Sequence, residues 1–600
     1  MITLWVLYLV VITAASAATT VNSQTVTGSG TATTAAVEKL LKVTVSNHWS
    51  GGFQGEFCIQ ITQELSSWRA HLTFDQPLNT LEVWVADLAE TKQGGKEFIL
   101  VNKPWNSVEH IGDKLCVTFI GHGQGDIQPT ATVYIEGMTA AVITRQTFGP
   151  DYTGTSKSKY EYYVSATQNC TKYNYDDILR KSILFYEAQR SGKLPGNNRI
   201  PWRGDSGLED GSDVGLDLTG GWYDAGDHVK FGFPMAYSTA ILTMGLLQWK
   251  DAYQTSRQLD HMYSCIKWPL DYFIKAHNNT NELYVQVGDG KADHNFWGRP
   301  EDMDMARPSY KIDASHPGSD VAGETCAAFA AGYLAFKDKD PKYAATLKQH
   351  ATELYEFGMK YQGVYTDTIT AAVGFYKSGN TTDELCWSAL WMYMITNETK
   401  YLTEAEKLFQ PGPAWGLSWD DTTPLNQVLL YKLTKKDIYK QAVIDTMADW
   451  MPGGSVPYTP KGLAWRSQWG SLRYSANMAM VALMAAEVGI NEKKYRDWAM
   501  GQIHYALGDT GFSYVIGVGD KYPTHPHHRA ASCPWPPAPC SPEEVNRPEP
   551  STHTLYGGLV GGPGKNDEYK DVRDNYVSNE VATDYNAGFQ SAVAGRLIIQ

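Results

Sequence analysis

Two aspartates stand three residues apart in Gly220-Gly221-Trp222-Tyr223-Asp224-Ala225-Gly226-Asp227-His228, with a glycine between them and aromatic residues just before. A glycine-bearing turn can bring both carboxylates to one point and leave room beside them for water or ligand. Two carboxylates that close do not ionise independently, so one can serve as a base that the other tunes. On Asp-x-x-Asp alone, an acidic turn or a metal-binding loop is the better explanation, because turns favour Asp and Gly. A further carboxylate, Glu580, lies immediately before the apolar C-terminal run. A partly desolvated place of that kind raises a carboxyl pKa and keeps the group protonated near neutrality. A base and an acid together suit general acid–base catalysis.

Three segments carry a resemblance. The first runs through Ile200-Pro201-Trp202-Arg203-Gly204-Asp205-Ser206 and Leu218–Phe231. The second is Ser513-Tyr514-Val515, Gly519 and Pro526-His527-His528-Arg529. The third is Tyr569-Lys570-Asp571, Tyr576, Glu580, Ala582, Asn586 and Ala587. In this order, over most of residues 170–600, they resemble glycoside hydrolase family 9, inverting β-1,4-glucanases that are mostly cellulases. Ile516 departs from the pattern, where a smaller residue is expected, and touches no chemistry. The resemblance implies Asp227 as catalytic base, Asp224 as the partner that holds the same water, and Glu580 as acid. It implies that His527 and Arg529 bind sugar hydroxyls or neighbouring carboxylates, and that Asp571 supports the site. Trp469, Arg473 and Tyr474, in Gln468–Tyr474, resemble a cleft segment of the family. His294, in Asp293-His294-Asn295-Phe296-Trp297, resembles another cleft residue. Core packing is the alternative for these four.

Catalysis of this kind needs no cofactor. Ser378-Gly379-Asn380-Thr381-Thr382-Asp383-Glu384-Leu385 resembles the family's calcium loop, with Asp420 as a remote ligand. The ligand set so implied is Ser378, Gly379, Asp383, Glu384 and Asp420, donors that suit a hard cation. The loop is one residue longer than the pattern, and an N-glycosylation sequon begins at Asn380 within it. No spaced His/Cys cluster invites a transition metal.

These residues need a scaffold. Nine stretches from Tyr175–Ser191 to Thr583–Leu597 carry apolar residues at three- and four-residue steps. Periodicity alone gives a large all-α domain, and the resemblance makes it an (α/α)6 barrel. Before it, short alternating runs punctuated by Gly, Asn and Asp begin at Lys42-Val43-Thr44-Val45-Ser46 and end with Thr132-Val133-Tyr134-Ile135. They predict an antiparallel β-sandwich. Asn47–Phe53, Trp68, Trp84, Asn102, Trp105-Asn106 and Phe119-Ile120-Gly121 resemble the family 2 carbohydrate-binding modules. That likeness implies an internal Trp68 and a flat cellulose-binding face of Trp49, Trp84 and Trp105. The expected organisation is a signal peptide at 1–17, a disordered leader at 18–41, the β-sandwich module at 42–142, a linker at 143–170 and the catalytic domain at 171–600.

Fifty-one basic against 65 acidic residues give a net charge of −14. That balance repels nucleic acid and leaves a neutral polysaccharide unpenalised. The apolar run Leu4–Ile12 followed by Ala15-Ser16-Ala17 reads as a secretory signal, too short to span a bilayer. The expectation is a secreted, extracellular monomer that acts on cellulose and related β-1,4-glucans, with no nucleic-acid or membrane partner. Of eight cysteines, Cys533 and Cys540 flank a Pro-rich loop they could close. Cys58 and Cys116 could staple one sheet. Asn169, Asn278, Asn380 and Asn397 begin glycosylation sequons. The rival readings are an exo-acting glucosidase on the same fold and a non-catalytic polysaccharide-binding protein.

Overall fold

The computed structural model describes residues 41–42, 44–61, 65, 67–83, 85–103, 106, 114–126, 130–136 and 172–598. The expected signal peptide, leader and linker, together with Trp84, Trp105, Cys170 and Asn169, lie outside the described residues. The chain separates into two compact units, Met1–Arg145 and Gln146–Gln600.

The first unit is all β. Its strands are β1 (Leu41–Lys42), β2 (Thr44–Gln60), β3 (Arg69–Phe74), β4 (Thr80–Val83), β5 (Ala86–Lys92), β6 (Glu97–Asn102), β7 (Lys114–Asp126) and β8 (Ala131–Ile135). They form a five-stranded sheet, β1-β8-β3-β6-β5, and a three-stranded sheet, β2-β7-β4. Every pairing is antiparallel. Period-two alternation puts Phe53, Phe57, Leu72, Phe74, Leu100, Val117, Phe119 and Val133 into one shared core. Trp68 is internal, as expected: its side chain is buried and its Nε1 donates to Asn106 O at 2.8 Å. The β2–β7 register sets Cys58 opposite Cys116. The structure corrects the strand count. The runs near 42–46 and 57–62 fall largely in one long strand, β2, and the sequence reading lacked β5 and β6. Glu97–Asn102 has a continuous apolar centre, which hides the alternation.

The second unit has sixteen α-helices among the described residues, and the twelve longest, outside its short loop turns, build a barrel. These are α1 (Tyr175–Ala188), α2 (Gly232–Gln248), α3 (Leu259–Ala276), α4 (Ser319–Phe336), α5 (Pro341–Lys360) and α6 (Thr382–Thr396). Then follow α7 (Thr399–Lys407), α8 (Thr423–Thr434), α9 (Asp437–Trp450), α10 (Ser471–Glu487), α11 (Glu492–Leu507) and α12 (Thr583–Ile598). The even-numbered helices contact one another in sequence, and α12 returns to α2, closing an inner ring. The odd-numbered helices pack outside it. Sequence composition explains the division. In α4 nearly every position is buried, from Val321 and Ala322 to Ala330 and Ala331, so both faces are apolar. In α5 only Ala344, Leu347, Ala351, Leu354, Phe357 and Gly358 are buried, one stripe at helical spacing. Asp340 caps α5 by accepting from Tyr343 N at 3.1 Å, with Pro341 opening the first turn. Buried hydroxyls on α2 bond back to their own helix, as Thr239 Oγ1 does to Met235 O at 2.7 Å. Gly245 lets α2 and α12 touch, since a Cβ there would stand 2.3 Å from Ser591 Oγ.

The nine helices expected from periodicity are present with ends shifted by a few residues, and α7, α8 and α9 are additional. α7 is short and polar, and α9 buries only scattered positions, so neither shows a strong stripe. A small sheet, β11 (Ser309–Asp313), β10 (Glu282–Val287) and β9 (Lys230–Phe231), lies before and after α3 in sequence and anchors the Asp-bearing turn. Cys533 and Cys540 form the expected disulfide, with S–S 2.09 Å. Cys265, Cys326 and Cys386 are buried free thiols. No helix among the described residues is long and apolar enough to cross a membrane.

Candidate active site

Asp224 and Asp227 occupy the turn before β9 and α2, while Glu580 precedes α12. The two segments are stitched by backbone bonds. Thr583 N donates to Asp224 O at 2.9 Å, and Arg529 N donates to Gly226 O at 3.1 Å. His527 N donates to Asn579 O at 2.9 Å. Gly226 makes this approach feasible, because a Cβ there would lie 2.0 Å from His527 O. Its N–H donates to Glu580 Oε1 at 3.3 Å, so the glycine between the aspartates reaches the third carboxylate.

Environment sets the three acids apart. Burial and the charges of Asp227 and Asp584 hold Asp224 well above the usual carboxylate range. Its Oδ2 accepts from Tyr376 Oη at 2.5 Å, and its Oδ1 has no protein partner. Burial would raise Asp227 as well, but the adjoining His294, with Arg529 and His228, carries it below its ordinary value. His294 Nε2 lies 3.6 Å from Asp227 Oδ2. Burial and the Asp227 charge push Glu580 up to about 8. At neutral pH the arrangement is therefore one anion, Asp227, flanked by two protonated acids.

His527 donates Nδ1–H to Arg573 O at 2.7 Å, which leaves Nε2 as an acceptor. Burial, with Arg529 and His294 nearby, presses its pKa down to about 4, so the ring is neutral. Asp571 points away from the reacting groups. It accepts from Thr524 N at 2.7 Å, His525 N at 3.0 Å and Asn579 Nδ2 at 3.2 Å, and so pins the loop that carries His527.

The comparisons with known proteins bear on this geometry. Residues 175–593 match the model of "Glycosyl hydrolase family 9", and residues 40–140 match "Cellulose binding domain". The chain belongs to glycosyl hydrolase family 9. It is 50% identical over 435 residues to Endoglucanase 4 of Bacillus sp. (strain KSM-522), covering 70% of this chain and 68% of that protein. A solved endoglucanase from the termite Nasutitermes takasagoensis is 51% identical with a TM-score of 0.70, over 72% of this chain and all of that one. A solved cellulase of C. cellulolyticum is 40% identical with a TM-score of 0.67, over 71% of this chain and 99% of that one.

The remaining sequence-predicted residues of this family 9 hydrolase divide by exposure. Trp469 is 49% exposed and Tyr576 50%, their rings 5.4 Å apart. Tyr576 lies 5.9 Å from His527, and His527 lies 5.3 Å from Trp297. These rings form an aromatic row along the catalytic face, and apolar sugar faces stack on such rings. His294 is half-exposed beside Asp227. Arg529 and Arg473, read from sequence as substrate contacts, are instead buried and committed to the protein. Arg529 pairs with Asp293 through Nη1, so of the two expected roles it takes the carboxylate one. Arg473 Nη1 binds Asp584 Oδ2 at 2.8 Å and its Nη2 donates to Tyr474 Oη at 2.5 Å. Tyr474 is buried against Trp415, which is 45% exposed. The backbone of Trp49 lies in β2, while its side chain, with Trp84 and Trp105, lies outside the described residues.

The calcium loop can be tested on its donors. Gly379 N donates to Asp420 Oδ1 at 2.9 Å, and Asp383 Oδ2 accepts from Thr422 N at 2.8 Å. Asp383 Oδ1 and both Glu384 carboxylate oxygens are buried without protein partners. Burial pushes Asp383 up to about 7 and Asp420 up to about 6, and lifts Glu384 well above its usual range. Orphaned, mutually repelling oxygens in a buried cluster fit a hard cation. Ser378 Oγ donates to Asn380 O at 2.9 Å. Two acids that the sequence reading missed join the cluster: Asp320 and Glu324, both fully buried on α4.

Tyr376, Asp293 and Asp584 were also missed. Asp293 adjoins His294 and Asp584 follows Glu580 by four residues, but their partners Arg529 and Arg473 lie far off in sequence, and Tyr376 stands in no recognised segment. Asp320 and Glu324 did leave a signal: two acids one turn apart on an otherwise apolar helix.

Proposed function

We propose that this family 9 hydrolase is a secreted endo-β-1,4-glucanase that cleaves internal bonds of cellulose with inversion. The observation that carries the reading is the opposed protonation of Asp227 and Glu580. Glu580 gives its proton to the leaving glycosidic oxygen as the anomeric C–O bond breaks. Asp227 takes a proton from the water that attacks the anomeric carbon on the opposite face, and Asp224 holds that water through its unpartnered oxygen. The turn ends with Glu580 ionised and Asp227 protonated, and exchange with solvent resets both. His527 and His294 meet sugar hydroxyls, and Trp469, Tyr576 and Trp297 offer stacking faces. Catalysis uses no cofactor. Calcium, held by Ser378, Gly379, Asp383, Glu384 and Asp420, would neutralise the buried acids as a structural ion. The N-terminal module would hold crystalline cellulose on Trp49, Trp84 and Trp105. Secretion is supported by the apolar N-terminal run and by the Cys533–Cys540 bond, which belongs to oxidising compartments.

The test has two readouts. Proton NMR of the first-formed sugar should show the α anomer. Viscosity of a soluble cellulose derivative should fall well ahead of reducing-sugar release. Initial β anomer overturns inversion, and parallel time courses overturn internal cleavage.

A further inference from the structure

The catalytic face lies at the N-terminal ends of the inner helices. The opposite face, about 25 Å away along helices of this length, holds a cavity of about 290 Å³ that the reaction does not use. It is lined by the C-terminal halves of inner helices: Met244 and Leu247 on α2, Trp391 on α6 and Met484 on α10. Met244, Trp391 and Met484 are almost fully buried, so the floor is preformed, and thioethers adapt to irregular apolar guests. Its size is at the small end of ligand sites, roughly 300–1,000 Å³.

Two features give the cavity a polarity. Lys337 and Lys432 stand at its edge, and among the described residues neither ammonium is paired with a carboxylate. Lys432 Nζ reaches only the neutral Gln248 Oε1, at 3.3 Å. Burial and the neighbouring Lys435 press its pKa down, and the Glu487 carboxylate nearby raises it without pairing with it. The Trp391 indole N–H, on a side chain 2% exposed, has no acceptor in the protein. An apolar floor beneath two cations without ion-pair partners is complementary to one kind of guest.

We propose that this rear cavity binds a short amphiphilic carboxylate, its apolar body on the methionine-lined floor and its anion between Lys337 and Lys432. The carbonyl ends of the same helices oppose an anion, so a comparison of charged and uncharged guests decides the matter. Alkyl and aryl carboxylates share this chemistry and are told apart by using both.

The experiment titrates the full-length protein with octanoate, with cinnamate and with octanol, read by calorimetry and by the change in tryptophan fluorescence. Saturable one-to-one binding of octanoate, cinnamate or both is expected, with octanol at least tenfold weaker. Lys337→Gln/Lys432→Gln, at exposed positions that leave the fold intact, should weaken the carboxylate at least tenfold. Leu247→Trp, which plugs the exposed mouth, should abolish binding while hydrolysis of a soluble glucan stays unchanged. Binding of octanoate alone assigns an alkyl guest, and of cinnamate alone an aryl guest. No saturable signal from either, octanol binding as tightly as octanoate, or binding that survives both variants overturns the proposal.

Discussion

The barrel holds two clusters of buried acids, and they solve the same problem differently. At the catalytic turn, Asp224, Asp227 and Glu580 share their space with His294, Arg529 and His228. The adjoining His294 and the Arg529 guanidinium single out one carboxylate, so the cluster divides into an anion and two acids. Beside it, Asp320, Glu324, Asp383, Glu384 and Asp420 are paired with no lysine or arginine among the described residues. Burial raises all of them: Asp320 to about 7, Asp383 to about 7, Asp420 to about 6, and Glu324 and Glu384 further. The lesson is that burial alone makes acids, whereas a base needs a placed cation. The clusters are also joined. Asp320 Oδ2 accepts from Tyr365 N at 3.0 Å, Tyr365 Oη donates to Tyr376 O, and Tyr376 Oη bonds Asp224.

The comparison breaks hardest at Glu580. Glu580→Gln keeps the shape and removes the proton, so kcat should fall about 10²–10⁴-fold with cellulose binding retained. A loss under tenfold would return the acid role to another group. In the wild type, kcat/KM should fall on the alkaline side as pH rises through about 8, where Glu580 loses its proton. On the acid side it should hold until below the ordinary carboxylate range, where Asp227 takes up a proton. His294→Gln removes the group that most lowers Asp227. It should move the acid limb upward while the alkaline limb stays in place. An unmoved acid limb would leave Arg529 and His228 as the groups that keep Asp227 ionised.

How much of this was legible in the sequence differs between the two clusters. Asp224, Asp227 and Glu580 could be named because each sits in a local frame of glycine, aromatic and acidic residues. The partners that give them opposed protonation could not. Tyr376 reaches the site from a distant segment, while Asp293 beside His294 and Asp584 four residues after Glu580 give no sign in sequence of the arginines they bind. For Arg529 the sequence left sugar hydroxyls and neighbouring carboxylates both open, and for Arg473 a cleft contact or core packing; only the fold shows Arg529 spent on Asp293 and Arg473 on Asp584. The barrel's inner helices were visible as long apolar stretches. The omission of α8 shows the limit: twelve residues beginning Thr423-Pro424 and ending in Tyr-Lys-Leu-Thr carry too little pattern, although eight of them are buried by the ring.

Calcium should matter as charge, not chemistry. If the proposed ion binds only the folded cluster, chelation should lower the melting temperature and added calcium should restore it. The drop should depend on pH. Folded pKa values above the unfolded ones mean that the native cluster holds protons the unfolded chain has released. Without the ion, stability is full below about pH 4 and falls as pH rises toward 7. The chelator effect should therefore be larger at pH 7.5 than at pH 5. An equal drop at both, or none, would separate the cluster from any bound cation.

The smallest effect sharpens the same point. Glu324 is fully buried, its two oxygens lack partners, and burial with the Asp383 charge holds its pKa well above normal. In the folded protein it is a neutral carboxyl, close in shape to an amide. In the unfolded chain it ionises above its ordinary pKa, and each pH unit beyond that point favours unfolding by about 1.4 kcal/mol. Glu324→Gln has no such ionisation in either state. The variant and the wild type should therefore melt together near pH 4, and the variant should melt higher by a few degrees at pH 7. Because Glu324 lies outside the proposed calcium set of Ser378, Gly379, Asp383, Glu384 and Asp420, the gain should persist in excess calcium. A variant that melts lower at every pH would mean that the carboxyl makes a contact its neutral isostere cannot. A gain that vanishes in calcium would place Glu324 among the groups that hold the ion.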